Sequence, residues 1–218
     1  MKPALRLMAN RCVTAERLSS PRSGRGLSSA RSDPVPGLRG AVVPLPRVWY
    51  DRSTTQVARE LLGTFLVVRG PHESRVARLV ETEAYVAGDA ANHAFRGRTA
   101  RNRSMFGPSG TLYVYRIHQV HCANIVTRPG QAVLLRAAES VAPPGLDLRG
   151  PGKLCRELGI GRSDDGSDVT SSRIMVISGT TRSERIVRAR RVGVRLDAER
   201  PLRFAFANNR FVSSPRPH

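Results

Sequence analysis

The chain has 218 residues, enough for one substantial core, and 40% of them are hydrophobic, well above the disordered class. No run approaches the roughly 18 consecutive apolar residues of a membrane-spanning helix, so a soluble protein is expected. With 36 Lys+Arg against 17 Asp+Glu the net charge is +19, a surplus that attracts polyanions; nucleic acid is the first partner to consider and a membrane surface the weaker alternative. Cys12, Cys122 and Cys155 lie far apart with no C-x-x-C, which excludes a disulfide framework and a cysteine zinc site and suits a reducing compartment.

In chain order, residues 1–44 read as a basic tail. Lys2, Arg6, Arg11, Arg17, Arg22, Arg25, Arg31 and Arg39 outnumber the acids Glu16 and Asp33, and Ser, Gly, Pro and Arg dominate without a sustained period. Such a segment buries too little apolar area to offset its ordering entropy. An organellar targeting segment and an over-long start are the other readings of it. Residues 45–218 read as the folded domain. Ser53-Thr54-Thr55-Gln56 has capping-box spacing, and the helix it opens ends near Gly63. TFLVVRG (64–70) and RVARLVETEAY (75–85) form an expected antiparallel pair, followed by strands over 111–117, 121–127 and 132–138. A two-turn helix ends at Gly159, and strands over 173–177, 190–196 and 202–206 close the chain. Strands with a few short helices imply an α+β fold around a largely antiparallel sheet.

Glu81, Glu83 and Tyr85 share one face of the second strand, while Thr82 and Ala84 share the other. Two acids so close on an apolar strand are costly unless solvated or put to use; a solvated strand face is the plain alternative. Downstream, Asn92-His93 and the run Arg96 to Phe106 combine arginines with Thr and Asn, a set suited to phosphate contacts. Tyr85, His93 and Tyr115 offer flat faces between which a base can stack. In a chain with 5% aromatics that grouping is notable.

VETEAY, NHAFRGRTARNRSMF, GTLYVYRIH, CANIV, AVLLRAAE, GPGKLCRELGI and RVGV with PLRF follow one another over about residues 45–213. In that order they resemble the successive blocks of the 3-methyladenine (alkyladenine) DNA glycosylase family. The resemblance implies a single compact α+β domain around a curved antiparallel sheet, acting as a monomer on duplex DNA that contains damaged purines, without metal or organic cofactor. It implies a cytoplasmic, nucleoid-associated location in a bacterium, nuclear or organellar in a eukaryote. By resemblance, Glu83 is the general base and Arg136 the arginine that holds the attacking water and the carboxylate. Tyr85, His93 and Tyr115 grip the flipped base, and Asn124 beneath it crowds the exocyclic amine of guanine. Thr99, Arg101 and Met105 fall in the DNA-backbone-contacting stretch.

The chemistry agrees with such roles. Breaking an N-glycosidic bond builds positive charge on the sugar, which a carboxylate stabilises while taking a proton from water. A lyase would need an amine nucleophile, and Lys153, the only lysine in 45–218, matches no catalytic position; a monofunctional, water-using enzyme is expected. His118 stands where many family members have a tyrosine wedge, but the Tyr115–Asn124 segment is one residue short. That leaves His118, Gln119 and Val120 as wedge candidates. His118 and His121 have the spacing of a metal pair, though on one strand they would face opposite sides. Arg136 sits among Val133-Leu134-Leu135 and needs a partner, Glu83 by resemblance or Glu139 as a purely structural one. Asn124 has a satisfied core amide as its alternative. At the level of function, a non-catalytic nucleic-acid-binding module is the runner-up. A carbohydrate-hydrolase pair of Glu81 and Glu83 is disfavoured because both lie on one face.

Overall fold

The structure is a computed structural model that describes residues 42–179 and 184–217. Most of the expected basic segment, residues 1–41, lies outside the described residues. Val42 is buried and Pro44 forms an antiparallel bridge with Ile177, so contacts with the sheet begin before residue 45.

Two short helices come first, α1 (Arg47–Tyr50) and α2 (Thr54–Glu60). The capping box expected at Ser53 does not form. The Ser53 hydroxyl pairs with Thr55 Oγ1 at 3.0 Å, and Gln56 donates to Glu60 one turn on. A helix this short takes its stability from packing, here the burial of Thr54, Val57 and Ala58. Gly63 follows in the left-handed region at φ +87°, as a chain reversing into a strand requires.

β1 (Phe65–Arg69) and β2 (Ser74–Tyr85) form the expected hairpin. β3 (Leu112–Ile117), β4 (Val120–Arg128) and β5 (Gln131–Ala142) meander onto it. After α3 (Pro151–Leu158) come β6 (Ile174–Ile177), β7 (Ile186–Ala189) and β8 (Arg203–Phe206). Among the described residues these make one antiparallel sheet in the order β3-β4-β5-β2-β1-β6, with β8 paired to both β2 and β7. The twelve-residue β2 is its spine. β5 runs along one edge, while β1 and then β8 share the other. The fold is α+β, as read from the sequence. No helix among the described residues is long and apolar enough to cross a membrane.

The strand expected over 190–196 is not there. β7 lies just upstream and exhausts its pairing with β8 at Ala189↔Arg203. Beyond it Arg191 turns into a buried ion pair and Gly193 bends the chain at φ +76°. The alternating valines of this segment therefore belong to a loop.

The main core lies between the helices and one face of the sheet, where Leu112, Val114, Ala123, Ile125, Val133 and Leu135 meet Val57, Leu61, Leu154 and Leu158. Alternation sends the intervening residues of the same strands to the opposite face. α3 ends as expected at Gly159, in the left-handed region at φ +69°. Near its start, Gly152 lets the β3–β4 hairpin pack closely, because a β-carbon there would lie 2.9 Å from Val120 Cβ. Gly152→Ala should accordingly destabilise the protein by about 1–3 kcal/mol in urea denaturation. Gly161→Ala, with nothing within 4 Å, should change it by less than about 0.5 kcal/mol.

Candidate active site

On the face turned away from the main core, the register pairs Tyr113 with Asn124, Asn124 with Leu134, and Leu134 with Glu83. One row of side chains thus crosses β3, β4, β5 and β2. Beside it the β2–β5 ladder slips twice. Leu79 pairs with Ala138, Glu81 with Ala137, and Thr82 with Leu135, which leaves Val80 and Arg136 as the extra residues of two opposed bulges. Bulges bend strands and re-aim side chains. This one aims Arg136 between Glu81 and Glu83.

Arg136 Nε donates to Glu81 Oε1 at 3.0 Å and to Ser213 Oγ at 3.0 Å, and its Nη1 lies 3.4 Å from Glu83 Oε1. Arg203 Nε also donates to Glu81 Oε1, while the Ser213 amide donates to Glu81 Oε2 at 2.7 Å. Both glutamates have no solvent exposure. The expected sharing of a face by Glu81 and Glu83 is therefore correct, but the face is not solvated. Arg136 takes Glu81 as its closer partner in addition to Glu83, and Glu139 pairs with Arg78 instead.

Glu83 Oε1 accepts the Val192 amide at 2.9 Å, and its Oε2 accepts the Tyr85 hydroxyl at 3.0 Å. Burial raises its pKa; Arg136, the Val192 amide and Tyr85 oppose that rise, and the charge of Glu81 adds to it. Tyr85 and Tyr115 are pushed upward by burial and Tyr113 up to about 12, so all three phenols stay protonated. Desolvation lowers the pKa of His93, which is neutral at neutral pH.

These groups line a cavity of about 370 Å³, within the usual range of small-molecule sites. Glu83 and Arg136 stand with Tyr85, His93, Tyr115 and Asn124 in its wall. The His93 ring meets Tyr115 edge-on at 4.4 Å between centroids, and its Nδ1 is 3.0 Å from the Tyr113 hydroxyl. Asn124 Nδ2 donates to the Tyr113 carbonyl at 3.1 Å, which fixes the orientation of the amide. A larger groove of about 730 Å³ beside α2 is less suited to chemistry. Its acid, Glu60, is exposed and paired with Arg52, and its aromatic ring, Phe204, is covered by Arg188.

The remaining expected positions divide. Thr99 and Arg101 are exposed, and the loop carrying them is tied by buried Asn102, which accepts from Thr99 and donates to the His93 and Gly97 carbonyls. Met105 departs from the expectation of a backbone contact: it is 2% exposed and packs with Tyr113, Val126 and Ala132 against the cavity. His118 and Gln119 form the tip of the β3–β4 hairpin at φ 43° and 66°, between the half-exposed Ile117 and Val120. His118 reaches the cavity mouth. His118 lies in that turn and His121 beyond it on β4, and among the described residues no group of three or more His, Cys, Asp or Glu is placed to hold a metal.

Sequence reading missed Tyr113, Cys122, Leu134 and the Val192 amide as parts of this wall. The two-residue period from Tyr115 and Asn124 pointed to the first two. The Val192 amide carried no signal, because its segment read as a strand. Exchanging Glu81 for Gln should cost about 3–5 kcal/mol in urea denaturation, since it leaves two buried arginines with one acid. Glu157→Gln, whose partner Arg156 is largely exposed, should cost about 0–1 kcal/mol.

The model of the methylpurine-DNA glycosylase family matches residues 48–210. A protein of Methanoculleus marisnigri, provisionally named 3-methyladenine DNA glycosylase, is 42% identical over 191 residues, covering 78% of this chain and 98% of the relative. One of an Anaeromyxobacter strain with the same provisional name is 48% identical over 178 residues, covering 78% and 92%. A third, of Burkholderia lata, is 38% identical over 206 residues, covering 85% and 97%. With a family match over most of its length and relatives covered almost end to end, this chain belongs to the methylpurine-DNA glycosylase family, enzymes of DNA repair that release bases from DNA.

Proposed function

We propose that the cavity receives an alkylated or deaminated purine flipped out of duplex DNA, and that Glu83 activates the water that replaces it on the sugar. The observation that carries this reading is a carboxylate with no exposure, its pKa raised, at an aromatic-lined cavity and held by Arg136, Tyr85 and a backbone amide. As the N-glycosidic bond breaks, its electrons leave with the base and positive charge grows on the sugar. The water oxygen bonds to the anomeric carbon, and its proton passes to Glu83. The ionised carboxylate also stabilises the sugar charge in a low-dielectric site.

Arg136 keeps Glu83 ionised and oriented. Tyr85, His93 and Tyr115 grip the base, and an electron-rich ring attracts a cationic alkylated purine by roughly 0.5–2 kcal/mol. Damaged bases are also the cheapest to extrude. Asn124 disfavours guanine because turning its amide away from an exocyclic amine would forfeit its hydrogen bond to Tyr113. The relatives' provisional name supports 3-methyladenine as a substrate; hypoxanthine is proposed beside it. Thr99 and Arg101 contact the DNA backbone, and His118, at the hairpin tip, fills the gap left by the base. The reaction is hydrolytic, without a lyase step: Lys153 is on α3, paired with Asp147 at 2.8 Å rather than facing the cavity.

Incubation with duplexes bearing single damaged purines, followed by alkaline cleavage of abasic products, tests the reading. Glu83→Gln should slow base release by about 100-fold or more while duplex binding persists. Binding without release from any lesion would favour a non-catalytic module instead. The pKa of Glu83 is higher folded than unfolded, so its contribution to stability is full at low pH and is lost as pH rises through the folded pKa. The Gln variant should therefore melt no lower than the parent at neutral pH. By the same sign, kcat/KM should fall on the acid side at a pH above the roughly 4.3 of an ordinary glutamate. An acid limb at or below that value would count against Glu83 as the base.

A further inference from the structure

Arg191, in the loop after β7, and Asp89, in the segment after β2, form an ion pair with no exposure of either side chain. Arg191 donates from both Nη atoms to the two Asp89 oxygens, from Nη1 to the Ala84 carbonyl at 3.2 Å, and from Nη2 to the Asp197 carbonyl at 3.4 Å. Its guanidinium lies over the Tyr85 ring, 4.7 Å from the centroid. Asp89 in turn accepts the Ala91 amide on its side chain and the Asn92 amide on its carbonyl. Asn92 anchors the segment to the carbonyls of Val86 and Gly130 and immediately precedes His93.

Three walls of the cavity thus meet at one pair: the strand end with Glu83 and Tyr85, the turn leading to His93, and the loop whose Val192 amide donates to Glu83. We propose that Asp89 and Arg191 are positioning residues for base removal, fixing the Val192 amide on Glu83 and the plane of the Tyr85 ring that receives the base. The proposal rests on the glycosylase reading above. A need for stability is a weak explanation of the pair, because buried ion pairs are often replaced by apolar residues without loss. An apolar pair cannot do what this one does: a planar guanidinium sets the tilt of a ring and, through directed hydrogen bonds, the course of the backbone one residue before Val192. Displacements of about an ångström at such a distance from the chemistry can cost rate by large factors.

The test uses the full chain, a duplex with one hypoxanthine, and the variants Asp89→Leu/Arg191→Met and Arg191→Lys. The double variant should melt close to the parent and bind the duplex as tightly, yet release base about tenfold or more slowly in single turnover. Its Val192 amide should also lose protection from hydrogen exchange. Arg191→Lys keeps the charge without the plane and should fall between the two on both measures. A folded double variant with parental rate and parental Val192 protection overturns the proposal. If the double variant does not fold, Arg191→Lys decides alone, and a parental rate with parental protection overturns the proposal there. A parent that releases no base from any damaged duplex would remove the functional reading, and Val192 exchange would still judge the positioning.

Discussion

Glu81 and Glu83 carry two carboxylates into a region without solvent, and they are tolerated there because Arg136 and Arg203 are buried with them. Ionised groups in such surroundings cost several kcal/mol each unless charge and hydrogen bonds are both satisfied. Here Glu81 accepts from two guanidinium groups and the Ser213 amide, while Glu83 accepts from a tyrosine and a backbone amide. The division of labour follows from position. Both acids have each oxygen engaged by protein donors, but Glu81 is absent from the cavity wall and is structural. Glu83 stands in that wall.

The cluster also explains parts of the fold that look unrelated to chemistry. The opposed bulges at Val80 and Arg136 interrupt an otherwise regular ladder to bring one arginine between two acids. The closing segment is drawn into the same cluster: the Ser213 amide and hydroxyl contact Glu81 and Arg136, and Arg203 donates to the Ser213 and Pro215 carbonyls. β8, which supplies Arg203, pairs with β2 over Glu81–Glu83 itself. Strand pairing and charge pairing are thus satisfied by the same residues.

Outside this neutral interior the described surface is rich in arginine. Arg96, Arg98, Arg101 and Arg103 are exposed in the loop that also carries His93, and Arg116 is exposed on the hairpin that ends at His118. The same two segments line the cavity through His93 and His118, and association of a polyanion with their arginines weakens as salt rises. The exposed arginines stand in solvent and the paired acids in a dry interior, two opposite dielectric surroundings.

The strand-dominated fold, the positions of most elements and the stretch that supplies much of the cavity wall were legible in the residues alone, because alternation, turn residues and Gly159 are local signals. The common face of Glu81, Glu83 and Tyr85 followed from a period of two, and the residues suited to gripping a base were legible as rare aromatics close to acids and arginines. Three-dimensional packing was needed to separate Glu81 from Glu83, to turn Met105 inward, and to make 190–196 a loop whose Val192 amide reaches Glu83. A bulge changes which residues face each other without leaving a mark in composition, and a buried pair such as Asp89 with Arg191 joins positions about a hundred residues apart. Such contacts depend on long-range register and on desolvation, neither of which any short stretch of sequence encodes.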